Sequence, residues 1–211
     1  MSLRRLGEQF ESLAKQDHAA RLAMWVFLAS EILLFAALFA LYTSYRAMYP
    51  DDFARAASHN NLAIGTINTL ILITSSATVA LALLTVRLGR ARLTAGLLLF
   101  SIACGLVFLV LKGVEYRQHF HEGFYPGVGY RNMELPGYGA RLFFTLYFLI
   151  TGLHAFHVIV GLLVLSWLAV GSLRGEFGPD NQVHFELGTL YWHLVDVIWI
   201  FVWPLLYLLH R

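Results

Sequence analysis

Apolar residues run along this chain in five long blocks, and polar residues are largely confined to the seams between them. The blocks lie at about 22–46, 62–86, 93–114, 142–170 and 187–209. Each is long enough to cross a bilayer as a helix, which takes about 20 residues. The pattern predicts an all-α fold, a polytopic membrane helix bundle with five transmembrane helices. Ahead of the first block, Leu3, Leu6, Phe10 and Leu13 recur at helical spacing beside Arg4, Arg5 and Lys15. That spacing predicts a short N-terminal interfacial helix over residues 3–20, lying among lipid headgroups. The third block ends raggedly at Lys112, Glu115 and Arg117. One connection, 117–141, gathers glycine, proline and aromatic residues, and reads as an irregular surface loop that holds His119 and His121. The chain therefore divides into an N-terminal segment, 1–21, and one transmembrane domain, 22–211.

Composition narrows the class. Of the residues, 58% are hydrophobic and only 13% charged, against about 25% charged in soluble domains. The formal net charge of +2 points to no nucleic acid partner. The single cysteine, Cys104, excludes a disulfide within the chain and any multi-cysteine metal site. The first apolar block is too long for a signal-peptide core. Orientation follows from the tight connection after the second block, where Arg87, Arg90 and Arg92 crowd together. Positive charge in a short loop marks the cytoplasmic side, which places the N-terminus in the cytoplasm and the C-terminus outside.

A few ionisable residues interrupt the blocks. An acid at a helix centre costs roughly 2.5–3.5 kcal/mol to insert, so such residues face a packed interior or a cavity. In the last block His193 and Asp196 lie one turn apart, among Trp192, Trp199 and Trp203. At 1.5 Å of rise per residue, Glu31 lies roughly 13 Å from the cytoplasmic edge, and His193 and Asp196 roughly 10 and 15 Å. The fourth block runs the other way, so His157 falls at similar depth, with His154 one turn along the same face. These heights predict a buried hydrogen-bonded network that joins the first, fourth and fifth spans. Gly152, Ala155 and Gly161 let helices approach beside the histidines. Asn68, Thr69, Ser75 and Ser76 suit hydrogen bonding between helices.

Two metal chemistries fit these residues poorly. A membrane cytochrome needs histidines on different helices at matching depth. His157 and His193 could form one such pair, but a second is missing. A di-iron bundle needs paired Glu-x-x-His motifs, and none occurs in the spans. A stand-alone transporter would show inverted repeats or spans broken near the midplane; the chain has neither.

Ordered anchors carry a resemblance. They are Ser30–Glu31, Asn68–Thr69, Lys112-Gly-Val-Glu115-Tyr116, TGLHAFHVIVG at 151–161, and FELGTLYWHLVDVIWIF at 185–201. With them the chain resembles subunit III of haem-copper terminal oxidases, most closely that of cytochrome c oxidase in its five-helix bacterial form. The resemblance implies an accessory subunit of a proton-pumping oxidase in the bacterial inner membrane, with haems and copper held by partner subunits and no redox centre or metal of its own. It implies contact with subunit I, membership alongside subunit II and a small subunit IV, and phospholipid between the helices. It also implies support of proton uptake and resistance to inactivation during turnover. The family's membrane carboxylate falls on Glu31, and its other buried polar positions on Glu115, His154, His157, Glu186, His193 and Asp196. Trp192, Trp199 and Asn68 are further packing or lipid positions. A quinol oxidase subunit III and an accessory subunit of a nitric oxide reductase remain the alternatives within this resemblance.

Overall fold

Residues 10–179 and 181–208 are described by a computed structural model. Six helices follow one another: α1 (Leu13–Met48), α2 (Pro50–Ala57), α3 (Leu62–Arg87), α4 (Ala91–His121), α5 (Tyr138–Leu173) and α6 (Val183–Trp203). A π-helical turn, Pro204–Leu208, continues α6. Five segments are long and apolar enough to span a membrane: α1, α3, α4, α5, and α6 with its π turn. Of the expected interfacial helix, residues 1–9 lie outside the described residues. From Leu13 the chain already belongs to α1, whose first turn is capped by the Ser12 hydroxyl accepting from the Lys15 amide at 3.3 Å.

Local chemistry sets the element ends. Asn61 caps α3 by accepting from the amides of Ala63 and Ile64 at 3.0 and 3.1 Å. Gly89, at φ +68°, closes α3. Only a residue free of Cβ strain turns left-handed so readily, and the turn folds α4 back along α3. The helix predicted to end near residue 114 instead runs on to His121. Its continuation is amphipathic: Lys112, Glu115 and His119 face inward, whereas Arg117, Gln118 and His121 face outward. His119 is accordingly no loop residue. It is 2% exposed and walled by Phe124, Phe144, Tyr147 and Phe148.

The bundle is uneven. α3, α4, α5 and α6 pack into a core with Trp192, Trp199, Phe108 and Phe143 at its centre. The Trp192 indole fills a slot between α4 and α5. A Cβ on Gly105 would come 3.0 Å from this ring, and one on Gly161 would come 2.6 Å from it. Gly161 thus makes room for a tryptophan rather than for a histidine bridge. α1 packs chiefly on α5 and α6 and buries only Leu28, Phe35 and Tyr42, one residue every seven. Met24, Leu38, Phe39 and Tyr45 are partly covered, and much of the remaining apolar surface, including Trp25, Val26 and Leu33, is exposed, as suits a helix bordered by lipid or by another protein.

Candidate functional site

Glu31 and His157 meet across α1 and α5, with Oε2 and Nε2 2.8 Å apart. The other ring nitrogen, Nδ1, lies 2.8 Å from the Leu153 carbonyl. A carbonyl only accepts, so Nδ1 carries a hydrogen and donates it. One proton is then shared between Nε2 and the carboxyl group, either as a neutral pair or as an ion pair, and the net charge is zero in both cases. Removing that proton leaves one negative charge in the membrane. The pair is a place where a single proton is held between two defined atoms, Glu31 Oε2 and His157 Nε2. It is not sealed: the glutamate side chain is 16% exposed and the imidazole 10%. Phe35 stands edge-on to the ring at 5.4 Å, and the Tyr191 hydroxyl donates to the His157 carbonyl at 3.2 Å. With both its nitrogens engaged, His157 has none left for a haem iron.

His193 and Asp196 do not join this pair. The His193 Nδ1 lies 2.8 Å from the Ser76 hydroxyl on α3; Asp196 makes no bond to His193, and the polar group beside its poorly bonded oxygens is the same Ser76 hydroxyl. Asp196 is 3% exposed. His154 is buried without a hydrogen bond on either nitrogen, 5.1 Å from the Trp199 ring and 5.6 Å from Phe108. The expected three-helix network is therefore one pair, a separate Ser76–His193 contact with Asp196 beside it, and a buried His154 left unbonded. The serines and threonines of α3 do join helices. Ser75 accepts from the Trp192 indole at 3.1 Å and Thr69 from the Trp199 indole at 3.0 Å. Asn68 is fully buried with its amide unbonded.

A second polar cluster lies deeper. Lys112, 3% exposed, donates to Glu115 at 2.8 Å and to the hydroxyls of Tyr147 and Tyr207 at 2.9 Å each. The Tyr207 hydroxyl in turn sits 2.7 Å from both Glu115 oxygens. The ammonium also faces the Tyr147 ring at 4.7 Å. All three ammonium hydrogens are used, so the charge is buried with its bonding complete. Sequence reasoning placed Lys112 at a ragged helix end. The signal to the contrary was its three-residue spacing from Glu115 on one face of a helix, and a tyrosine at 207 that completes the cage. The π turn that carries Tyr207 is held from outside the cage as well: Tyr42 donates to the Leu205 carbonyl at 2.9 Å and Asn60 to that of Leu206 at 3.0 Å.

Glu186 lies at one end of the bundle, clamped between Arg21 at 3.0 Å and Arg87 at 3.1 Å. It ties the entry of α1 to the exit of α3 and the start of α6.

Comparison with known proteins agrees with this architecture. The sequence matches the model of the family described as Cytochrome c oxidase subunit III over residues 11–210. It is 33% identical to cytochrome c oxidase subunit 3 of Thermostichus vulcanus, over 90% of this chain and 87% of that one. It is 27% identical to a probable quinol oxidase subunit 3 of Staphylococcus saprophyticus, over 90% of this chain and 88% of that one. Heme-copper oxidase subunit I+III of Aeropyrum pernix is 30% identical over 89% of this chain, which spans only 22% of that protein's length.

Proposed function

Because the chain belongs to the cytochrome c oxidase subunit III family, we propose that its Glu31–His157 pair is the part of it that serves the oxidase, by holding a proton at the flank of the bundle. The chain is an accessory subunit III of a haem-copper oxidase, a multi-pass membrane protein within a multisubunit respiratory complex. It carries no catalytic residue and no redox centre; haems and copper reside in partner subunits. The neighbour along α1 is subunit I, a reading supported by the fused I+III relative and by the apolar surface that α1 leaves uncovered. Subunit II and a small subunit IV complete the assembly, in the bacterial inner membrane. The N-terminus is cytoplasmic.

One observation carries the role of the pair: a carboxylate at membrane depth, bonded to a single histidine and still partly open. A proton gained or lost there changes the charge of the site by one, which a neighbouring proton pathway senses electrostatically. An apolar groove of about 280 Å³ between α1 and α6, lined by Ile32, Phe35, Phe39, Leu194, Val197 and Phe201 among others, shares with the pair the Phe35 ring that stands against His157. It suits a phospholipid acyl chain that keeps bulk water from the pair. A quinol oxidase complex is the second reading, supported by the staphylococcal relative.

Purification of the tagged chain from native membranes in mild detergent tests this reading. Haem-bearing partners should co-purify and then separate from a colourless chain, with oxygen consumption driven by cytochrome c. A preference for quinol would move the complex to the second reading, and a lone chain that is itself coloured would overturn both.

A further inference from the structure

We propose that the His121 end of α4 carries a binding site for the phosphate headgroup of an anionic phospholipid, formed by Arg117 and His121 above a notch at Gly113. The inference rests on α4 crossing the membrane and stands apart from the pair at Glu31. A cavity of about 280 Å³ is lined by Gly113, Tyr116, Arg117, Phe120, His121 and Tyr125. Gly113, Arg117 and His121 follow at four-residue intervals and so share one helix face. Arg117 and His121 are exposed and have no hydrogen bond or ion pair among the described residues. Arg21, Arg55, Arg87 and Arg174 each face a carboxylate; of the arginines that do not, Arg117 is the one set in a cavity with a glycine notch and an aromatic wall. An arginine at the edge of an apolar span without a counter-charge calls for an anion, and its planar fork suits two phosphate oxygens.

The walls are built for a lipid. Gly123, at φ +82°, reverses the chain: the Gly123 amide donates to the Phe120 carbonyl at 3.2 Å and the Phe124 amide to that of His119 at 2.9 Å. This turn sets Tyr125 flat on Phe120, with ring centres 5.2 Å apart, and Phe120 lies flat on Phe148 at 5.1 Å. The result is an aromatic wall of the kind found where headgroups meet acyl chains. A Cβ on Gly113 would meet nothing within 4 Å, so the notch is open. Toward the middle of the membrane, the same face of α4 continues with Val110 and Leu106, which are 66% and 52% exposed. The Arg117 cation and the His121 imidazole at the rim, a notch, then an apolar track: that order matches a phospholipid and gives a free phosphate ion no use for the lower half.

Native mass spectrometry of the intact oxidase complex, loaded with phosphatidylglycerol or phosphatidylcholine, tests the site. Arg117→Gln/His121→Gln should lower phosphatidylglycerol retention on this subunit by about five-fold, with phosphatidylcholine unchanged. Gly113→Leu, which fills the notch without meeting a neighbour, should lower retention while oxygen consumption stays the same. Retention equal to wild type in both variants would overturn the proposal. So would displacement of the lipid by equimolar inorganic phosphate, which marks a plain anion site. Loss of a partner subunit from the double variant, in place of lipid, would overturn it too, because Arg117 would then face a protein carboxylate.

Discussion

Glu31 and Glu115 are both glutamates inside apolar spans, each 2.8 Å from a basic side chain, yet their surroundings differ. Glu115 is 1% exposed and enclosed by Lys112, Tyr147 and Tyr207, which bond to one another as well. Glu31 has His157 alone, and its side chain is 16% exposed at the flank of the bundle. A closed cage can give up no proton without leaving a buried charge uncompensated, and this makes it a rivet. On the function proposed above, the pair at the flank, with one shared hydrogen bond, is the working part. The two glutamates differ in the number of their partners, not in the kind of residue.

Substitutions can break that contrast, and the largest effect should come from the cage. Lys112→Met leaves Glu115 buried without its cation and should cost about 3–5 kcal/mol. The yield of intact complex should collapse, and a second change, Glu115→Leu, should restore part of it. Yield unchanged in Lys112→Met would mean that the cage bears no load. Gly161→Ala drives a methyl to 2.6 Å from the Trp192 ring and should cost about 1–3 kcal/mol, read as a lower unfolding temperature of the complex. Tyr207→Phe removes one hydroxyl that both accepts and donates, and should cost about 1–2 kcal/mol. Asp196→Asn should be the mildest. No bond to His193 exists to be lost, so assembly should match wild type, and failure to assemble would show that the carboxylate has a partner outside this chain.

Much of this was legible in the sequence, for reasons that also explain what was not. Long apolar blocks set the five spans, because a bilayer leaves the backbone little choice but helix. The Glu31–His157 contact followed from matching heights. Height does not give rotation, however. His193 shares the depth of Glu31, but its ring turns to Ser76 on α3, and Asp196, one turn away, makes no bond to His193. The cage stayed hidden because Tyr207 looks like any aromatic in an apolar run, and because Lys112 precedes charged residues that do lie at a surface. The extension of α4 was missed for the same reason: its outer face turns polar at Arg117 while its inner face stays buried through His119. The two glycines that seat Trp192, Gly105 and Gly161, carry no mark of the ring they admit.

The central claim, that Glu31 works while the cage only holds, is tested most directly by sustained oxygen consumption of the purified complex carrying Glu31→Gln. The account predicts a normal yield and a normal initial rate, followed by a decline over successive turnovers faster than in wild type. A decay identical to wild type would contradict it, and would leave the Glu31–His157 pair as one more contact between two helices.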